Sequence, residues 1–289
     1  MKKRNSIDFY QKNWSIIVKL LRVDKTNCIH HGLYEKGIHS HVQSVLNMND
    51  FIGRLLNLDS KKKKINQVLD AGCGIGGTVI HLARKYPEIN LLGITIVPEH
   101  IEMARDLAKT NQVEANTDFK LEDFMDTSFS SNQFDAIYFI ESACYSQQKH
   151  MLIQEMKRIL KPGGTLVIID CFRTEVELNQ FLNKLFILFC KGWGLSNLIK
   201  LEEMKDSLIT EGFTKIKTRN LTKNVKLTIL FGNAISIPYL FSIIVRKIIK
   251  GKSYQIEEDP DLLASTFLLS TIIGLKKGIT YNSIVAIKQ

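Results

Sequence analysis

The run Val68-Leu69-Asp70-Ala71-Gly72-Cys73-Gly74-Ile75-Gly76-Gly77 constrains this chain more than any other stretch. Apolar Ile65, Val68 and Leu69 lead to Asp70, a glycine-dense turn follows, and a helical pattern of Val79, Leu82, Ala83 and Tyr86 then stops before Pro87. That order reads as strand, tight turn and helix. Glycines accept positive φ and leave no Cβ between backbone and ligand. The helix that starts there presents unpaired N–H groups and roughly half a positive charge. Gly72, Gly74 and Gly77 also satisfy G-x-G-x-x-G, the dinucleotide fingerprint. That fingerprint expects an acid about 20 residues further on for the ribose. Here the second strand ends Gly93-Ile94-Thr95-Ile96-Val97-Pro98, with no acid before Glu99. Alone, the turn suits either a nucleotide-like ligand or plain helix–strand packing.

From residue 65 the chain alternates. Strands are expected at 65–70, 90–96, 119–123, 134–140 and 165–170, with helices at 76–86, 99–111 and 147–160 between them. Such alternation makes βαβ units, a mainly parallel sheet and ligand sites at the carboxyl ends of its strands. Two later strands, 215–221 and 279–288, bring the sheet to seven. The expected class is α/β, a Rossmann-like seven-stranded sheet with helices on both faces. Trp14, Ile17, Val18 and Leu21, and then Val42, Leu46, Phe51 and Leu55, recur at helical spacing around a turn-rich His30–Gly37. We expect residues 1–60 to form a helical segment covering the cleft. Residues 61–289 would be one domain, with cap insertions near 172–205 and 223–278. Leu227 to Val245 is free of charge but barely reaches the ~20 apolar residues of a membrane span. It reads instead as a helix pair broken at Pro238.

The 289 residues, 45% hydrophobic and 24% charged, suffice to bury a core. The five cysteines (Cys28, Cys73, Cys144, Cys171, Cys190) are scattered, odd in number and without C-x-x-C. This argues against a disulfide framework or a zinc site and points to a reducing, cytoplasmic setting. His30, His31, His39 and His41 match no zinc spacing, so no metal site is expected. A net charge of +10 suits an anionic substrate, an anionic membrane surface or a lysine-rich proteome. No nucleic-acid motif accompanies it, and Lys61 to Lys64 reads as a solvated loop. The basic N-terminus lacks the apolar core of a signal peptide.

Three segments together resemble a class I S-adenosylmethionine (SAM)-dependent methyltransferase: Val68-Leu69-Asp70-Ala71-Gly72-Cys73-Gly74, Phe134-Asp135-Ala136-Ile137 and Arg158-Ile159-Leu160-Lys161-Pro162-Gly163-Gly164. Gly93 to His100 is similar to a stretch of the tocopherol methyltransferase group. Tyr138-Phe139-Ile140-Glu141-Ser142-Ala143-Cys144-Tyr145 resembles an element of sterol and terpene-diphosphate C-methyltransferases, and His31-Gly32-Leu33-Tyr34 a segment these enzymes carry before the SAM domain. Thr95 departs from the usual ribose-binding acid, and His100 from the usual Gln.

The resemblance implies SAM as cofactor, with S-adenosylhomocysteine as its product. By that resemblance Gly72, Gly74 and Gly76 lie against the methionine part and Asp70 orients the turn. Thr95 and Ile96 flank the ribose, Asp123 meets the adenine amino group, Phe124 covers the ring, and Ile140 completes the cleft. A lesser reading of Asp123 is a cap for the segment after it. Alternation along the fourth strand places Glu141 at its carboxyl end among apolar neighbours, where a raised pKa would suit a general base. The same carboxyl could simply hydrogen-bond a neighbouring loop. Trp14, His31, Tyr145 and Trp193 are candidates for holding the acceptor.

The expected activity is methylation of a small lipophilic acceptor, with C-methylation of an isoprenoid leading. O- or N-methylation of an aromatic natural product is the alternative, and a nicotinamide-dependent reductase or a non-enzymatic membrane scaffold are readings of other classes. Mg²⁺ is expected only if the acceptor is a diphosphate. A homo-oligomer and peripheral membrane contact complete the expected partners.

Overall fold

In a computed structural model describing residues 3–60, 64–146 and 148–289, the alternation becomes one seven-stranded sheet. Its strands are β1 (Gln67–Ala71), β2 (Asn90–Thr95), β3 (Thr117–Leu121), β4 (Phe134–Ile140), β5 (Leu160–Arg173), β6 (Phe213–Asn220) and β7 (Ile279–Lys288). They lie in the order β3-β2-β1-β4-β5-β7-β6. β1 to β5 are parallel, and β7 is antiparallel to both β5 and β6. Lys61 to Lys63 and Gln147, the expected first residue of the helix after β4, lie outside the described residues.

Helices α1 (Lys3–Leu21), α2 (Val23–Thr26) and α3 (His41–Leu56) precede the sheet. Helices α4 (Gly77–Lys85), α5 (Pro98–Thr110) and α6 (Lys149–Ile159) make crossovers. α7 (Gln180–Gly192), α8 (Leu201–Thr210), α9 (Thr222–Lys250) and α10 (Leu262–Leu275) follow β5 and flank β6 and β7. Every residue of β4 is buried, as a central parallel strand covered on both faces requires. Tyr138, Ile140, Val68 and Val167 pack on one face with α3 and α4. Phe139, Ile137, Leu69 and Ile168 pack on the other with α6 and α8. At the opposite end of the sheet from the glycine turn, Asp135 Oδ2 accepts the N–H groups of Asn66 and Gln67, both at 3.0 Å, and Lys161 donates to Oδ1 at 2.7 Å. One carboxylate thereby aligns the approaches to β1, β4 and β5.

The expected helix pair broken at Pro238 is a single helix, α9, running from Thr222 through Lys250. An interior proline costs a helix one N–H and leaves the carbonyl four residues earlier unpaired. That carbonyl belongs to Ala234, and both Ala234 and Pro238 are exposed, so water can take the bond. The opposite side of α9, with Val225, Thr228, Gly232, Ser236 and Ile243, is buried. Gly232 is needed there for a different reason, since a Cβ would lie 2.3 Å from the Phe267 ring of α10.

Candidate active site

The carboxyl ends of β1, β2 and β4 open into a cavity of about 780 Å³, counting its mouth. Asp70, Gly72 and Gly74 line it around the glycine turn, Thr95 and Ile96 at the end of β2, Phe124 from the loop after β3, and Ile140 and Glu141 at the end of β4. Gly72 has φ +102°, and a Cβ there would come within 2.4 Å of the Ser142 Cβ. Gly74, at φ +54°, faces Ile29. Both positions therefore require glycine, and both leave bare backbone toward the cavity. Gly76 is different. Its missing Cβ faces the Phe119 ring at 2.6 Å and Ala104 at 3.1 Å, so it serves packing and does not line the cavity.

Asp70 is buried, and its Oδ2 accepts the Tyr138 hydroxyl at 2.8 Å. Its Oδ1 has no hydrogen-bond partner among the described residues. Burial lifts the carboxyl to about 7, against the opposing pull of Tyr138 and His30. His30 lines the same cavity, with Nδ1 3.0 Å from the His31 carbonyl and Nε2 2.9 Å from Asn49 Oδ1. Both ring nitrogens thus face acceptors, an arrangement that the imidazolium satisfies. Burial pushes its pKa down, but Cys28, Glu141 and the His31 carbonyl raise it to about 9. An orphaned carboxylate oxygen, a cationic imidazole and a Cβ-free turn in one cavity fit a zwitterionic amino-acid moiety carried by a larger ligand.

Glu141 follows β4 with φ +52°, a left-handed conformation costly for a residue with a Cβ. Three donors hold its carboxylate. The backbone N–H of His31 donates to Oε1 at 2.7 Å, His31 Nδ1 lies 2.9 Å from Oε2, and the Tyr281 hydroxyl donates to Oε1 at 2.6 Å. Burial pushes the Glu141 pKa up, but His31, His30 and Tyr281 outweigh it and hold the group below its ordinary value of 4.5. The raised pKa expected from apolar surroundings is thus reversed, because the strand alternation could not reveal donors arriving from residues 31 and 281.

A second cavity, about 1080 Å³ with its mouth, lies beyond that cluster. Its walls are mainly apolar, with Phe189, Trp193, Ile229, Phe267 and Ile279 among them, and His31 and Tyr281 line it where they hold Glu141. Tyr145 lines the first cavity and donates to the Trp193 carbonyl at 3.1 Å, while Tyr10 donates to the Tyr145 hydroxyl at 3.4 Å. Asp170, buried and lifted to about 6 by that burial, accepts from the Cys144 N–H at 2.8 Å and so fixes the turn that presents Tyr145.

Besides Gly76, two of the expected site residues lie outside both cavities. Trp14 packs on His100, ring centroids 5.2 Å apart, in a shallower adjoining cleft. β3 stops at Leu121, so Asp123 falls in the following loop, where its Oδ1 caps the Met125 N–H at 3.0 Å. Thr95 lines the first cavity while its Oγ1 accepts from the Val97 N–H at 3.3 Å. Sequence reasoning missed Tyr10, His30, Ser142 and His100 as lining residues, and Tyr281 as a partner of Glu141. The doubled histidine at 30 and 31 was the one usable signal among these. Among the described residues no group of three or more His, Cys, Asp or Glu could hold a metal ion.

The methyltransferase-domain family matches residues 68–164. The chain is 29% identical over 206 residues to a norajmaline N-methyltransferase of Rauvolfia serpentina, covering 68% of this chain and 70% of that one. It is 27% identical over 210 residues to a chloroplastic tocopherol O-methyltransferase of Arabidopsis thaliana, covering 68% and 60% respectively. A geranyl diphosphate C-methyltransferase of Streptomyces coelicolor, solved with Mg²⁺, geranyl-S-thiolodiphosphate and S-adenosylhomocysteine, superposes with a TM-score of 0.73. That likeness covers 100% of this chain and 99% of the other, at 15% identity, and speaks for the fold. Over residues 68–164 the chain is a methyltransferase domain, similar in sequence to N- and O-methyltransferases and in fold to a C-methyltransferase solved with S-adenosylhomocysteine. Its relatives include enzymes named for N-, O- and C-methylation, and the nicotinamide reading of the same glycines gives way.

Proposed function

We propose that this enzyme methylates a small lipophilic acceptor, with a carbon of an isoprenoid as the leading target. The observation that carries the reading is the apolar second cavity, which meets the first at the Glu141–His31–Tyr281 cluster. When bound, SAM supplies a methyl group already activated on a sulfonium sulfur. Asp70 would take the ammonium of its methionine part on Oδ1, with the His30 imidazolium supplying a nearby positive charge for the carboxylate but no free N–H. Thr95 and Ile96 would flank the ribose and Phe124 the adenine. Tyr10 and Tyr145 would close the cleft against water, which strengthens the polar contacts inside it.

Glu141 is the proposed proton acceptor. A carboxylate held below its ordinary pKa is a weak base. A weak base suffices when methylation of an alkene has left a carbocation, because protons beside such a centre are strongly acidic. Tyr281 and His31 would keep the carboxylate ionised and aimed. The rim lysines Lys223 and Lys226 of the second cavity suit an anionic head group, and a diphosphate there would bring Mg²⁺ with it.

The low Glu141 pKa also favours a second reading, in which the carboxylate orients an acceptor amine or hydroxyl, as fits the relatives named for N- and O-methylation. Incubation with methyl-labelled SAM and a panel of prenyl diphosphates, prenylated phenols and indole alkaloids separates the two. A new C–CH₃ bond by NMR supports the isoprenoid reading, label on nitrogen or oxygen moves the assignment to the second, and label in none of the lipophilic acceptors overturns both.

A further inference from the structure

One face of α9 has no partner among the described residues. Lys223, Leu227, Leu230, Ala234, Ile237, Phe241, Ile244 and Ile248 recur at intervals of three and four and are all exposed. Phe241 is 67% exposed, Ile248 75% and its neighbour Ile249 76%. A contiguous apolar stripe of this kind, on a helix whose other side is packed, marks an interaction surface. α9 has the length and hydropathy of a membrane span. However, Thr228 hydrogen-bonds the backbone of Gly32, Asn233 donates to Thr271 of α10 at 2.8 Å, and Gly232 abuts Phe267. A helix bound into the fold along one side can lie on a bilayer but cannot cross it.

Charge decides what covers the stripe. α9 contains no acidic residue; Arg246 is paired with Asp259 and Asp261, which leaves Lys223, Lys226, Lys247 and Lys250 as its outward cations. The lysines stand exposed at both ends of the stripe. A second copy of this helix, parallel or antiparallel, would set basic end against basic end with no carboxylate on either helix to compensate. An anionic lipid surface complements both ends and receives the apolar middle, the arrangement of an interfacial amphipathic helix.

The stripe also reaches the proposed acceptor cavity. Lys223, Lys226 and Leu230 of α9, with Gly274 and Leu275 of α10, belong to both the cavity wall and the outer surface. Leu275 is 77% exposed and is followed by exposed Lys276 and Lys277. We infer that α9 and the end of α10 dock on an anionic lipid surface, with the mouth of the second cavity facing the bilayer to receive a lipophilic acceptor. The docking face stands on its own geometry. Its use for loading rests on the acceptor reading above.

The test is flotation of the full chain with vesicles of phosphatidylcholine alone and of phosphatidylcholine with one-third phosphatidylglycerol, with SAM affinity measured by calorimetry on the same samples. Binding to the anionic vesicles only, weakened about fivefold for each of Lys223→Gln and Lys247→Gln and released by high salt, is the expected result. The triple variant Ile237→Ser, Phe241→Ser, Ile248→Ser should lose flotation with SAM affinity unchanged. Failure of the folded, SAM-binding wild type to float with anionic vesicles would overturn the inference. A wild-type dimer by light scattering that the triple variant converts to monomer would overturn it too, giving the face to a second copy. Loss of SAM binding in the wild type would instead strike the enzyme assignment and leave the docking result to stand separately.

Discussion

The Tyr281 hydroxyl donates to Glu141 Oε1 at 2.6 Å although 140 positions separate the two residues in sequence. Antiparallel β7 makes this contact. It pairs Tyr281 with Cys171 of β5, one strand away from β4, and so sends the ring toward the carboxyl end of β4 where Glu141 begins its turn.

Removing that hydroxyl should weaken the carboxylate without touching the cofactor. For Tyr281→Phe the acid limb of the kcat profile is expected to move up by about one pH unit, since one charge-assisted hydrogen bond is lost. SAM affinity by calorimetry should remain at the wild-type value. The same group sets a stability signature. Because its folded pKa lies below 4.5, Glu141 contributes stability above pH 4.5, and that contribution is lost as pH falls from there through the folded value. Thermal melts should therefore show wild type and Glu141→Gln converging as the pH drops below 4.5.

Asp70 obeys the opposite sign. Its carboxyl is raised from 3.8 to about 7 by burial, so ionising it costs stability progressively as pH rises from 3.8 toward 7. Asp70→Asn should melt higher than wild type at pH 8 and near it at pH 4, while binding SAM about tenfold or more weakly for want of a partner to the ammonium. Wild-type SAM affinity should rise between pH 6 and pH 8 as Asp70 ionises, and calorimetry in buffers of different ionisation heat would register the released proton.

Gly72→Ala tests the turn. The new Cβ would meet Ser142 at 2.4 Å and impose an L-residue on φ +102°. Denaturant melts should show a loss of about 1–3 kcal/mol, and SAM binding should fall further than stability does. Because Ser142 Oγ donates to the Ala71 carbonyl at 2.7 Å and adjoins Glu141, turnover should drop even at saturating SAM.

Filling the second cavity separates acceptor from donor. Ile229→Trp, on its α9 wall, is expected to leave SAM affinity unchanged and to raise the acceptor KM at least about tenfold by excluding part of its apolar surface. Unchanged kinetics for every acceptor would place the acceptor elsewhere.

What could be read ahead of the structure follows from how far along the chain each contact reaches. The parallel strands, the glycine turn and the seven-strand count were legible because hydrophobic runs, glycines and Pro162-Gly163-Gly164 act locally. Asp70, Gly72 and Gly74 were placed for the same reason. Gly76 was misassigned because glycine in a turn answers equally to a ligand or to a neighbouring ring, here Phe119. Glu141 was legible as the residue ending the fourth strand, yet the direction of its pKa was not, since His31 and Tyr281 reach it from opposite ends of the chain. Pro238 misled because its helix-breaking effect depends on whether the freed carbonyl meets water, and that is a property of the folded surface.

Part of the wall between the two cavities comes from outside the sheet: the segment Cys28–His31, pinned to α9 through Gly32 and Thr228 at 3.1 Å and through reciprocal bonds between Tyr34 and Asn224 at 2.9 and 2.8 Å. Helix α9 therefore holds the leash of the Glu141 carboxylate, and a force that shifts α9 on the outside is transmitted by three short links to the backbone N–H that grips Glu141.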